Sequence, residues 1–288
     1  MRAIVIGTYG QLALELQRRP LPAGLELLPL NQLDITDAAS LTAHLDQARP
    51  DIVLNAAAYT AVDKAESERE LAFAVNATGP ATLASWCAQS GASIIHCSTD
   101  YVFDGTKVGA YNEADETAPL GVYGASKLAG EDAVRLAGER HVILRTSWVF
   151  SAHGHNFVRT MLRLAAEREE LRVVADQHGR PTAAADLADA MLLVAGRIVA
   201  GKPRYGTFHF AGAGETTWHG FAQAIVQEQA QRTGKLPRVV PIATHEYPTP
   251  AKRPANSVLA TNAFSQAFGV TPRPWRDGLQ EVVRELLG

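Results

Sequence analysis

Residues 2–13 read RAIVIGTYGQLA. The apolar run 2–6 is too short for a helix and suits a fully buried strand. It leads into Gly7-Thr8-Tyr9-Gly10-Gln11-Leu12-Ala13, after which a helical pattern continues to about residue 19. A strand, a glycine turn and a helix in that order form the entry to a dinucleotide fold. Gly7 permits the tight turn. Gly10 lets backbone approach a pyrophosphate at the helix N-terminus, and Ala13 is small enough for helix and strand to pack closely. This reading predicts an α/β fold, a Rossmann-like doubly wound parallel sheet.

Further strands are predicted at 25–30, 51–54, 93–97 and 142–144, with helices between them. The predicted second strand ends in Pro29-Leu30-Asn31-Gln32, which carries neither an acid for ribose hydroxyls nor an arginine for a 2′-phosphate. NADPH and NADH therefore both stay open, with NADPH put first. Asp37 reads as a cap for a helix starting near Ala38. The third strand leaves through Asn55-Ala56-Ala57-Ala58, where small residues suit either a cofactor lying against backbone or a tight packing turn. The charged run 63–70 reads as a solvated helix face.

The fourth strand ends in Cys97-Ser98-Thr99-Asp100. Hydroxyls at the carboxyl end of a parallel strand lie where open α/β sheets bind ligands; Thr99 is the functional candidate, with a turn-satisfying role as its alternative. Residues 104–122 form a long loop, a lid or a wall. Tyr123 and Lys127 then stand four apart at the start of a helix running to about residue 137, so they share one face. Ketone reduction needs a group to polarise the carbonyl, a proton donor and a cation to tune that donor, and Thr99, Tyr123 and Lys127 supply the set.

Beyond about residue 150 the strand-helix alternation weakens. Helices are predicted over 157–170, 183–199 and 217–232, with strands at 171–175 and 207–210 and an irregular proline-rich segment at 241–254. That segment carries Lys252 and Arg253, which either grip a diphosphate or sit on a solvated loop. The expected division is a dinucleotide-binding domain over 1–150, with some later segments returning to it, and mainly a substrate-binding lobe over 151–288. His153 and His155 have no matching ligand spacing, so no metal is expected from them.

The 288 residues are 47% apolar and 20% charged, as in ordinary soluble domains. A net charge of −3 gives no basic field for nucleic acid. No stretch approaches the roughly 20 apolar residues of a membrane span, and the N-terminal run is too short for a signal peptide. Cys87 and Cys97, the two cysteines, imply no disulfide framework, which points to a reducing, cytoplasmic setting.

Taken with PDIVLNAAAYTAVDKAE (50–66), STDYVFDG (98–105), YGASKLAGE (123–131), RTSWVF (145–150), NFVRTMLRL (156–164), DQHGRPT (176–182) and YPTPAKRPANS (247–257), the chain resembles the extended short-chain dehydrogenase/reductases over nearly its whole length. Within them it is similar to the branch that reduces dTDP-4-keto-6-deoxy sugars. The resemblance implies Tyr123 as general acid, Lys127 as its tuner and ribose ligand, and Thr99 as the hydroxyl partner. It implies cofactor contacts from Gly7, Gly10, Gln11, Leu12, Asp34, Ile35, Ala57, Ala58, Tyr59, Thr60 and Cys97. Sugar-nucleotide contacts are expected from Thr99, Asp100, Trp148, Asn156 and Arg253, in a monomer or homodimer. Some relatives are linked to a divalent ion such as Mg2+; Glu15 is present here, but Ala184-Ala185 precede Asp186, which argues against one. An epimerase, a reductase of another nucleotide sugar and a non-catalytic nicotinamide-binding regulator stand as alternatives.

Overall fold

The structure, a computed structural model, describes residues 1–28 and 33–288. Six parallel strands form the central sheet. In chain order they are β1 (Arg2–Ile6), β2 (Glu26–Leu27), β3 (Ile52–Asn55), β4 (Ser93–Thr99), β5 (His141–Thr146) and the returning strand Gly206–His209. Their spatial order is Gly206–His209, β5, β4, β3, β1, β2. The chain runs to one side of β1 into β2 and to the other into β3, which opens a crevice at the carboxyl ends of β1 and β3. The segment Pro29-Leu30-Asn31-Gln32, expected to end the second strand and select the cofactor, lies outside the described residues.

Side-chain alternation along β1 divides the core. Ala3 and Val5 face helix α1 (Gln11–Arg18) and the helix Ala184–Val199, where Leu12, Ala13, Leu16, Ala188 and Met191 pack. Ile4 and Ile6 face Leu41 and Leu45 of α2 (Ala38–Ala48) and Leu83 and Cys87 of the helix Gly79–Ser90. Apolar residues therefore fill both faces of the strand, as a covered parallel sheet requires. Asp37 caps α2 by accepting from the Ser40 amide.

A second core joins the helices Phe157–Glu167, Trp218–Thr233 and Trp275–Leu287 through Val158, Leu162, Phe221, Ile225, Leu279 and Val283. The predicted strand at 171–175 is Glu170–Val174, and it pairs in parallel with Arg238–Ile242, so the first two residues of the segment read as irregular, 241–254, are strand. Between β3 and β4 a π turn, Ala74–Thr78, joins the short helix Arg69–Phe73 to the helix Gly79–Ser90. Among the described residues, no helix is long and apolar enough to cross a membrane.

Candidate active site

The crevice is shaped by the first turn. Gly7 has φ of 106°, and a Cβ there would come within 3.0 Å of the Ala57 nitrogen. Helix α1 starts at Gln11 with Gly10 as its N-cap, without a side-chain cap and without an acid in its first turn. A Cβ on Gly10 would meet nothing within 4 Å. An uncapped helix N-terminus behind an open glycine suits the pyrophosphate of a dinucleotide. Leu12 and Ala13 turn inward to the core. The Gln11 side chain leaves the turn, accepting from Ser151 Oγ at 2.9 Å and from Asn156 Nδ2 at 3.0 Å. Gln11 and Leu12 thus face any phosphate with their backbone.

Around the crevice, Asp34 is engaged locally, taking the Thr36 amide at 2.8 Å and the Thr36 hydroxyl at 2.7 Å, which holds its carboxyl below the usual range. Ile35 is buried against Gly79. Ala57 and Ala58 are half-buried and Thr60 is exposed. Tyr59 is fixed at its backbone by Asn76, which accepts from the Tyr59 amide at 2.8 Å and donates to its carbonyl at 3.0 Å. The Tyr59 hydroxyl donates to Glu68 at 2.6 Å, and this raises its pKa to about 12.

The helix Val122–Ala137 brings Tyr123 and Lys127 against the end of β4. The Tyr123 hydroxyl lies beside Thr99, whose hydroxyl favours the phenolate. Tyr123 also meets the Tyr101 ring edge-on at 5.5 Å. Burial pushes Tyr123 above the ordinary phenol range, against the opposing effect of Thr99. Lys127 is buried, and Nζ donates to the Cys97 carbonyl at 2.7 Å. It also stands 3.4 Å from His96 Nε2. Burial lowers the Lys127 pKa. Behind it, His96 Nδ1 meets Asn55 Nδ2 at 2.9 Å. His96 interrupts the apolar start of β4, and that interruption was its only signal in the sequence.

The same helix is anchored by a buried ion pair. Glu131 is fully buried and accepts from Arg145 Nη2 at 2.7 Å and from Arg145 Nε at 2.9 Å. Ser98 donates to the same carboxylate. Asp100 is buried next to Thr99, which donates to its Oδ1 at 2.9 Å. Burial raises Asp100 to about 7, opposed by the nearby Ser257 hydroxyl and by the bond from Thr99.

On the facing side, Trp148 has a left-handed backbone, φ 50°, and stacks on Trp218 with ring centroids 3.6 Å apart. Gly179 makes room: a Cβ there would lie 2.4 Å from the Trp148 ring. Asn156 is committed to structure, capping the helix Phe157–Glu167 through the Arg159 amide and donating to the Ser151 carbonyl at 2.8 Å. Arg253 donates to Asp63 at 2.9 Å, so the proline-rich segment reaches back to the end of β3. Its Nη1 is buried without a partner. Sequence spacing could not pair Trp218 with Trp148 or Ser257 with Asp100.

Glu15 does not suit a divalent ion. Its carboxylate lies 3.3 Å from Arg19 and 3.8 Å from Arg18, and Asp186 is bound by Arg273. Among the described residues no group of three or more His, Cys, Asp or Glu is placed to hold a metal.

The RmlD substrate binding domain family matches residues 1–287. The curated dTDP-4-dehydrorhamnose reductase of Burkholderia thailandensis is 46% identical over 297 aligned positions, covering 100% of this chain and 99% of that protein. Among solved structures, the Clostridium acetobutylicum dTDP-4-dehydrorhamnose reductase superposes with a TM-score of 0.90 at 38% identity, covering 99% of both chains. The Bacillus anthracis dTDP-4-dehydrorhamnose reductase in complex with NADP gives 0.89 at 37% identity, again with 99% of both chains covered. A full-length family match, relatives above 40% identity and a shared fold converge, and the chain belongs to the dTDP-4-dehydrorhamnose reductase family.

Proposed function

We propose that this chain reduces the C4 ketone of dTDP-4-dehydro-L-rhamnose to dTDP-L-rhamnose, with NADPH as the first-choice reductant and NADH as the second. The observation that carries the reading is Tyr123 placed beside Thr99 at the carboxyl end of β4, with Lys127 buried one helical turn away. NADP in the Bacillus anthracis relative supports the cofactor choice.

The reduced nicotinamide, when bound, supplies hydride to C4. Gly7 and Gly10 leave room for the pyrophosphate, with the backbone of Gln11 and Leu12 beside it. Asp34, Ile35, Ala57, Ala58, Tyr59, Thr60 and Cys97 line the remaining cofactor path. Tyr123 holds its proton until the ketone oxygen gains charge, and burial keeps it a neutral phenol at rest. Lys127 binds ribose, and its positive charge favours phenolate once that proton has left. Thr99 aligns the ketone oxygen. Trp148 supplies an apolar wall, Asp100 contacts the sugar, and Arg253, with its unpaired Nη1, reads the diphosphate. Asn156 acts through Gln11, holding the turn to the second core.

In this reading residues 1–150 with the returning strand Gly206–His209 form the cofactor part, and 151–288 supply mainly the substrate part. A cytoplasmic monomer or homodimer accords with it. The test is loss of reduced-nicotinamide absorbance that depends on the dTDP-4-keto sugar, with each cofactor in turn. Tyr123→Phe is expected to keep cofactor binding and lose turnover by about a hundredfold or more. Near-normal turnover in that variant refutes the assignment, and sugar conversion without net cofactor consumption indicates an epimerase.

A further inference from the structure

Thr99 has one proton to give and two lone pairs to fill. In the structure it accepts from the Tyr101 amide at 3.2 Å and donates to Asp100 Oδ1 at 2.9 Å. That pattern belongs to an ionised Asp100. It leaves Thr99 only a lone pair for Tyr123 and nothing to donate to a ketone oxygen. Yet the other Asp100 oxygen, Oδ2, is buried with no hydrogen-bond partner. A buried carboxylate oxygen without a donor is costly, whereas a neutral carboxyl group tolerates the position. Asp100 is 2% exposed, so bulk solvent does not reach it.

We infer that Asp100 enters the reaction as a neutral carboxylic acid that donates to Thr99 and thereby turns the Thr99 hydroxyl toward the reacting oxygen. Both Thr99 lone pairs are then filled, by the Tyr101 amide and by Asp100, and its proton is free for the oxygen shared with Tyr123. Asp100 is a positioning residue in this step, beyond any contact it makes with the sugar. The inference rests on the Tyr123–Thr99 reading above.

The surroundings allow the neutral form near physiological pH. Burial raises Asp100 to about 7, while the nearby Ser257 hydroxyl, which donates to the His178 carbonyl, together with Thr99 and the adjoining backbone favours the carboxylate. Tyr101 from the adjoining turn and Tyr123 from the helix Val122–Ala137 are the titratable groups that feel its charge. Arg253 and Asp63 act on the far side of Tyr101, and Cys97 acts on Tyr123. Both tyrosines are shifted upward by burial, so neither supplies a transition near 7.

The test is the pH profile of kcat with saturating dTDP-4-keto sugar and NADPH. In the natural protein kcat should fall as pH rises through about 7, because the competent form is the protonated one. Ser257→Ala removes a neighbouring hydroxyl that favours the carboxylate, so the falling limb should move upward by about one pH unit or less. Asp100→Asn cannot ionise, and the limb should vanish. In the protein alone, a protonated-carboxyl infrared band should disappear as pH rises through about 7 and be missing in Asp100→Asn. A limb that stays put in Ser257→Ala, moves down, or survives in Asp100→Asn overturns the inference. If Asp100→Asn does not fold, by cofactor titration, Ser257→Ala and the infrared band of the natural protein decide. Normal turnover in Tyr123→Phe defeats the underlying site; an inactive Tyr123→Phe with an unmoved limb defeats this inference alone.

Discussion

At the scale of single residues, the most consequential pair outside the reacting groups is Glu131 and Arg145. Glu131 lies one helical turn beyond Lys127, and Ser98, which also binds it, precedes Thr99. The pair therefore ties the helix Val122–Ala137 to the ends of β4 and β5. Burial alone would raise the Glu131 pKa, but bonds from Arg145, Ser98 and Arg135 outweigh it and hold it below 4.5. Its contribution to stability is thus complete above pH 4.5 and is lost as pH falls through the lowered folded value. Arg145→Met leaves a buried carboxylate without its main partner. The expected cost is about 3–5 kcal/mol, or roughly 10 °C in Tm, with acid unfolding moved to higher pH. Thermal denaturation at several pH values checks both. A change below about 1 kcal/mol would mean that the carboxylate finds water or takes a proton cheaply.

At the scale of elements, the wall that the proposed function sets against the sugar is made by a strained residue and two supports. The left-handed backbone of Trp148 costs energy that only its surroundings recover. Trp218, at the first turn of the helix Trp218–Thr233, stacks on it at 9° between planes, and Gly179 lets the indole sit flat. Aromatic pairs contribute about 0.5–1.5 kcal/mol beyond burial. Trp218→Ala should therefore raise KM for the sugar nucleotide roughly two- to tenfold, and Gly179→Ala should raise it more by displacing Trp148. Neither should alter cofactor affinity. Steady-state kinetics beside a cofactor fluorescence titration separates the two effects; an equal loss of cofactor binding would mean that the wall supports the whole crevice.

At the scale of the molecule, what was legible in the sequence was local. Apolar runs gave the strands, Gly7 and Gly10 gave the turn, and the four-residue spacing gave Tyr123 and Lys127 a common helix face. The partners came from far along the chain, and no local pattern encodes which distant segment arrives: Ser257 at Asp100, Trp218 at Trp148, Arg238–Ile242 beside Glu170–Val174. Arg253 shows how such a contact can serve function. It joins the proline-rich segment to Asp63, 190 residues away in sequence, while one guanidinium nitrogen stays buried and unpaired. Asp63 is 41% exposed at its side chain, so solvent weakens the ion pair, and the pair is worth little as a clamp. In the proposed reading its use is orientation, aiming the free edge of the guanidinium at a diphosphate. Arg253→Ala should then raise KM for the sugar nucleotide about tenfold or more, the size of a lost charge-assisted bond, with Tm almost unchanged. Asp63→Asn should give a smaller rise, because it loosens the aim without removing the donor. Equal effects of the two substitutions, appearing in Tm and not in KM, would assign the pair to stability instead.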